Sequence, residues 1–144
     1  MNAVVIDAHL ALALILPLPY SQPAAQQFER WKRARMVLHA PDLWSYEVAS
    51  GLRKAISDRA ISPEAAAEGL RSLWALNVAQ TPPDPGLALD ALRWAERLGR
   101  RIACDAVYLA LAERLGVEFW TADSALARNL RQMGVAWARS VADG

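Results

Sequence analysis

Cysteine occurs once in this chain, at Cys104, so no internal disulfide can form and no cysteine-based zinc cage can be built. A lone thiol suits a reducing compartment. Lysine is almost as scarce, present only as Lys32 and Lys54. Neither sign of charge is in excess. A net charge of +1 gives no global basic field, so a polyanion would have to be drawn in by a local patch or by bound metal. No long apolar run is available for a membrane span. Residues 1–19 are mostly apolar, but no basic segment precedes them, and Asp7 and His9 interrupt them. The uninterrupted part, residues 10–16, is far too short to cross a bilayer. These absences point to a cytoplasmic protein with no membrane association. No repeat, low-complexity tract or linker divides the chain. Residues 1–144 are expected to form a single domain, large enough for a core without covalent staples.

The chain is organised around residues 101–123. From Ala106 to Ala112 it is apolar without a break, over a length that suits a helix. A helix apolar on all sides is normally buried on all sides. Gly116 supplies a left-handed stop, and residues 117–121 are β-branched and aromatic enough for an interior strand. One acid, Asp105, opens the helix and another, Asp123, closes the strand after it. Elsewhere, residues 3–6, 36–40, 77–80 and 135–137 read as strands. Helices are expected at residues 8–16, from Ser21 to Arg33, after Asp42, after Ser62-Pro63, after Asp84-Pro85 as far as Gly99, and at residues 124–133. Alternating strands and helices give an α/β fold with a mainly parallel central sheet. Its functional cleft lies beyond the carboxyl ends of the strands.

That rule selects Asp7, after the first strand, and Asp123, after a later one, with Asp105 at the same edge. Each could equally be a helix N-cap and nothing more. Glu47 sits at the border of an apolar helical stripe carrying Trp44, Val48 and Leu52, a position that ordinary surface glutamates also take. Together the four acids make a stronger case. If they converge, each like-charged pair at ~5 Å costs roughly 3 kcal/mol at an effective dielectric near 20. Either some take up protons or a cation neutralises them. With oxygen ligands and no histidine or thiolate set, a hard ion such as Mg²⁺ or Mn²⁺ is favoured. Such ions activate water and bridge phosphate oxygens, as cleavage of a phosphodiester requires.

Four stretches carry a resemblance: Val5-Ile6-Asp7, Pro41-Asp42-Leu43-Trp44-Ser45-Tyr46-Glu47-Val48, the run from Cys104-Asp105-Ala106 through Tyr108 to Ala112, and Trp120-Thr121-Ala122-Asp123. In order and spacing they resemble the PIN domain, and within it the VapC-type toxin ribonucleases of toxin–antitoxin pairs. The resemblance implies a three-layer α/β/α sandwich. It also implies RNA cleavage with Mg²⁺ or Mn²⁺ held by Asp7, Glu47, Asp105 and Asp123, leaving 5′-phosphate and 3′-hydroxyl ends. A cognate antitoxin and a homodimer follow from it as expected partners. Two positions depart from the family pattern. His9 stands where a small hydroxyl or amide residue is usual, and either contacts a phosphate or turns to solvent. Ser50 stands where many relatives carry asparagine, still offering a hydroxyl. Thr121 either hydrogen-bonds a ligand carboxylate or simply packs the strand. Arg100 and Arg101, upstream of Asp105, are candidates for gripping RNA, although basic clusters are often only solvated helix faces.

Two rival functions share the fold pattern: a catalytically silent interaction module, and an aspartate-based phosphotransfer domain. The latter lacks a lysine after a late strand and a second aspartate two residues beyond Asp7.

Overall fold

Residues 2–100 and 103–143 are described by the computed structural model. The chain opens with strand β1 (Ala3–Ile6), every residue of which is buried. Short α1 (Ala8–Leu12) follows, then α2 (Ser21–Arg33), β2 (Val37–Pro41), α3 (Leu43–Ser57), α4 (Pro63–Trp74) and β3 (Ala79–Thr81). The second half runs α5 (Pro85–Leu98), α6 (Cys104–Leu115), β4 (Glu118–Thr121), α7 (Ser124–Gln132) and β5 (Ala138–Ser140), with a final 3₁₀ turn at Val141–Asp143. The sheet order is β3-β2-β1-β4-β5. All four strand pairings are parallel.

Two directions of travel across the sheet generate three layers. From β1 the chain steps outward to β2 and β3, then returns past β1 to β4 and β5. Parallel crossovers are right-handed, so the outward and return legs leave their helices on opposite faces. The helix packing agrees, with α1 against α3 and α3 against α4, while α5 packs on α6. The result is a three-layer α/β/α sandwich. Helix α6 is buried on nearly every side through Ala106, Tyr108, Leu109, Ala110, Leu111 and Ala112, as its unbroken apolar run requires. Among the described residues, no helix is long and apolar enough to cross a membrane.

Several helix limits follow from local chemistry. Ser62 and Asp84 cap α4 and α5 by accepting the backbone N–H of Ala65 and Leu87, each with proline in the first turn. Gly99 and Gly116 end α5 and α6 in left-handed conformation, at φ 67° and 68°. Four elements differ from the sequence expectation. Strand β3 begins at Ala79 instead of residue 77, because Asn77 turns in left-handed conformation at φ 55°. Helix α1 stops at Leu12, because residues 13–15 tighten into turns in which Leu14 and Ile15 donate three residues back, ahead of Pro17. Ser21 caps nothing forward. It accepts the Leu18 N–H and donates to the Leu16 carbonyl, tying the preceding loop. The last strand falls at Ala138–Ser140 instead of residues 135–137, since Val135 donates back to the Leu130 carbonyl and closes α7.

Candidate active site at the carboxyl edge of the sheet

Strand β1 ends directly in Asp7, and β4 ends two residues before Asp123. The two strands are neighbours, and the segments leaving them diverge to opposite faces, which opens a crevice between them. Asp7 and Asp123 stand in that crevice. Glu47 reaches it from the second turn of α3 and Asp105 from the first turn of α6. The four carboxylates line one open cavity together with His9, Tyr108 and Thr121. It holds about 90 Å³ of room for water, enough for a hydrated ion or a phosphate oxygen and too little for a nucleoside.

Each acid is anchored differently. Asp7 is an N-cap and more: Oδ1 accepts the Leu10 N–H at 2.8 Å, and Oδ2 accepts the Thr121 hydroxyl at 2.5 Å. Asp123 caps α7 by accepting the Leu126 N–H at 3.0 Å. Thr121, fully buried, also accepts the backbone N–H of Asp123 at 3.0 Å, so one hydroxyl joins both acids. Glu47 accepts the phenol of Tyr108 at 2.5 Å. Asp105 is exposed at the rim. The capping and cavity readings of Asp7 and Asp123 are therefore compatible, because one carboxylate oxygen can cap while the group still borders the cavity.

The electrostatics bear the mark of crowded acids. Burial raises the Asp7 carboxyl from its ordinary 3.8 to about 6, against the hydrogen bonds from Thr121 and Leu10 and the pull of His9; the charge on Glu47 pushes it further up. Burial also raises the Tyr20 phenol, and the charges of Asp7 and Asp123 add to it. Tyr20, which precedes α2, is thus an electrostatic neighbour that no periodicity in the sequence indicates. Burial, the bond to Glu47 and the charges of Glu47, Asp7 and Asp105 all raise the phenol of Tyr108 well beyond its ordinary range.

The donor set fits a hard divalent cation: four carboxylates, one imidazole, and neither lysine nor arginine among the described lining residues. The acids do not form a closed cage. Among the described residues, no three histidine, cysteine, aspartate or glutamate side chains are grouped closely enough to hold an ion. Asp7, Glu47 and Asp123 are each held in place by an anchor of their own. His9 is exposed at the start of α1 and still borders the cavity, combining its two expected positions. Ser50 and Arg100 are exposed and do not line it. Arg101 lies outside the described residues. Tyr108 is the lining residue whose role sequence reasoning missed; its signal is the three-residue spacing from Asp105, which puts both on one helix face.

Comparisons with known proteins place the chain in a family. Ribonuclease VapC3 of Pyrobaculum aerophilum is 33% identical over 124 residues, covering 85% of this chain and 91% of that protein. The crystal structure of PAE2754 from Pyrobaculum aerophilum has a TM-score of 0.71 and 23% identity, over 98% of this chain and 85% of the other, a likeness that speaks for the fold alone. The family model of the PIN domain matches residues 4–130, a span that includes all four cavity acids. On these grounds the chain belongs to the PIN domain family, and within it to the VapC type.

Proposed function

We propose that this protein is a metal-dependent endoribonuclease, the toxin of a type II toxin–antitoxin pair, acting in the cytoplasm as a homodimer that a cognate antitoxin restrains. The observation that carries the reading is the meeting of four carboxylates, from four separate segments of chain, in one cavity whose described lining residues include no lysine or arginine. Membership of the PIN family and the ribonuclease named among its relatives support it.

Asp7, Glu47 and Asp105 would hold Mg²⁺ or Mn²⁺, directly or through water, with Asp123 assisting. When bound, such an ion supplies Lewis acidity toward phosphate oxygens and a lowered pKa for water. The chain's own residues do the rest. Thr121 fixes the orientation of Asp7 and the start of α7. A lining carboxylate takes the proton from the attacking water. The water oxygen bonds to phosphorus as the bond to the 3′-oxygen breaks, and the departing oxygen takes its proton from solvent water. The products carry a 5′-phosphate and a 3′-hydroxyl. His9, at the exposed lip, is placed to meet a substrate phosphate.

The open spacing of the acids favours one rival, a silent interaction module of the same fold. End-labelled RNA incubated with the protein and Mn²⁺ decides between them. Cleavage that a chelator abolishes, with 5′-phosphorylated fragments, is the expected result. Intact RNA with both Mn²⁺ and Mg²⁺, or cleavage that persists in excess chelator, refutes the proposal.

A further inference from the structure

Three of the four cavity acids stand at the start of a helix, where free backbone N–H groups or the loop geometry can hold them. Glu47 does not. It lies inside α3, where every backbone N–H is already spent on the helix ladder. Its side chain has three rotatable bonds, and fixing a glutamate costs up to ~2 kcal/mol in lost rotamer freedom. Something other than the backbone must aim it.

The group that meets it is Tyr108, on a different helix. Tyr108 is 3% exposed, its ring lies against Phe119 with centroids 6.3 Å apart, and its phenol donates to Glu47 Oε1 at 2.5 Å. It sits one turn beyond Asp105 on the same face of α6 and borders the same cavity. With its ring packed in the core, the phenol oxygen has a fixed position, whereas the glutamate it holds is half-buried.

We infer that Tyr108 is a positioning residue: its phenol commits Glu47 Oε1, bridges α3 to α6, and holds Glu47 so that Oε2 serves a cation in the cavity. The inference rests on the metal-dependent reading above and adds a residue to it. Partners that orient ligand carboxylates change affinity by roughly 10- to 100-fold when removed.

The test is Tyr108→Phe, which keeps the ring and removes the donor. Mn²⁺ binding is titrated calorimetrically into metal-free wild type, Tyr108→Phe, Glu47→Gln and the double variant, with melting curves in chelator recorded for all four. The expected result is a Tyr108→Phe protein that melts cooperatively and binds Mn²⁺ roughly 10- to 100-fold more weakly. The loss should shrink to less than about 3-fold when Glu47 is already glutamine, because the tyrosine acts through that carboxylate. Unchanged Mn²⁺ affinity in Tyr108→Phe, beside normal binding by wild type, overturns the positioning role and leaves the metal site standing. An equal loss in both backgrounds also overturns it. Wild type that takes up no Mn²⁺ brings down the metal-dependent reading itself, and the inference with it.

Discussion

Replacing Asp7 with asparagine should stabilise the metal-free protein at neutral pH and slightly destabilise it in acid. The Asp7 carboxyl is raised from 3.8 to about 6 in the fold, chiefly by burial. The native state therefore holds the proton more tightly than the unfolded chain does. Stability from this group is intact below pH 4 and is lost as pH rises toward 6. Once the group is ionised the loss amounts to about 3 kcal/mol. Asparagine is neutral, still caps α1 at the Leu10 N–H, and forfeits about 1 kcal/mol through the rearranged bond to Thr121. The net gain at pH 7.5 is then about 2 kcal/mol, or roughly 4–8 °C in melting temperature for a chain of this size. Thermal melts in chelator between pH 4 and 8 measure it directly. The variant should melt below wild type at pH 4, overtake it as pH rises toward 6, and hold a constant lead above that. Millimolar Mn²⁺ should raise the wild type more than the variant, since a ligand that binds only the native state stabilises it by mass action. A gap that stays constant across the pH range, or a variant less stable at pH 7.5, would refute the reasoning.

Two other substitutions probe the supports of the site. Thr121→Val preserves shape but removes the donor to Asp7 and the acceptor for the Asp123 N–H; a loss of about 1–3 kcal/mol is expected in denaturant unfolding. Unchanged stability would show that the hydroxyl is idle. Gly51→Ala tests the approach of α3 to α1, because a Cβ at Gly51 would fall 2.3 Å from Leu12 Cδ1. Leu12 is only 4% exposed and has little room to yield. Overpacking at about 1–3 kcal/mol therefore outweighs the helix-propensity gain of about 1 kcal/mol, and a variant more stable than wild type would contradict this.

The sequence was most legible where chemistry is local. Ser62, Asp84 and Gly99 delimit helices as their residue types require, and the unbroken apolar run of α6 is buried on nearly every side. Three of the acids could be nominated because each follows a strand or opens a helix at one sheet edge, and Glu47 because it borders the apolar stripe of α3. What single positions could not convey was which oxygen each acid commits and to whom. Thr121 and Asp7 are 114 residues apart, and Tyr108 and Glu47 are 61 apart, so those bonds exist only once the sheet order is known. The last strand was misplaced for a similar reason. Val135 has the β-branched character of a strand, but its N–H is needed to close α7, and the sheet receives Ala138 in its place. The proximity of Tyr20 to Asp7 and Asp123 follows from chain crossing, not from any periodic pattern.

The placement of β1 at the centre of the sheet has a bearing on synthesis. Its outward neighbour β2 comes from the first third of the polypeptide, whereas β4 on its other side is made only after residue 117. A nascent chain still lacking that strand has neither Thr121 to hold Asp7 nor Asp123 to face it. The set of acids that lines the cavity is therefore complete only once residue 123 has been made, however early β1 and Asp7 emerge.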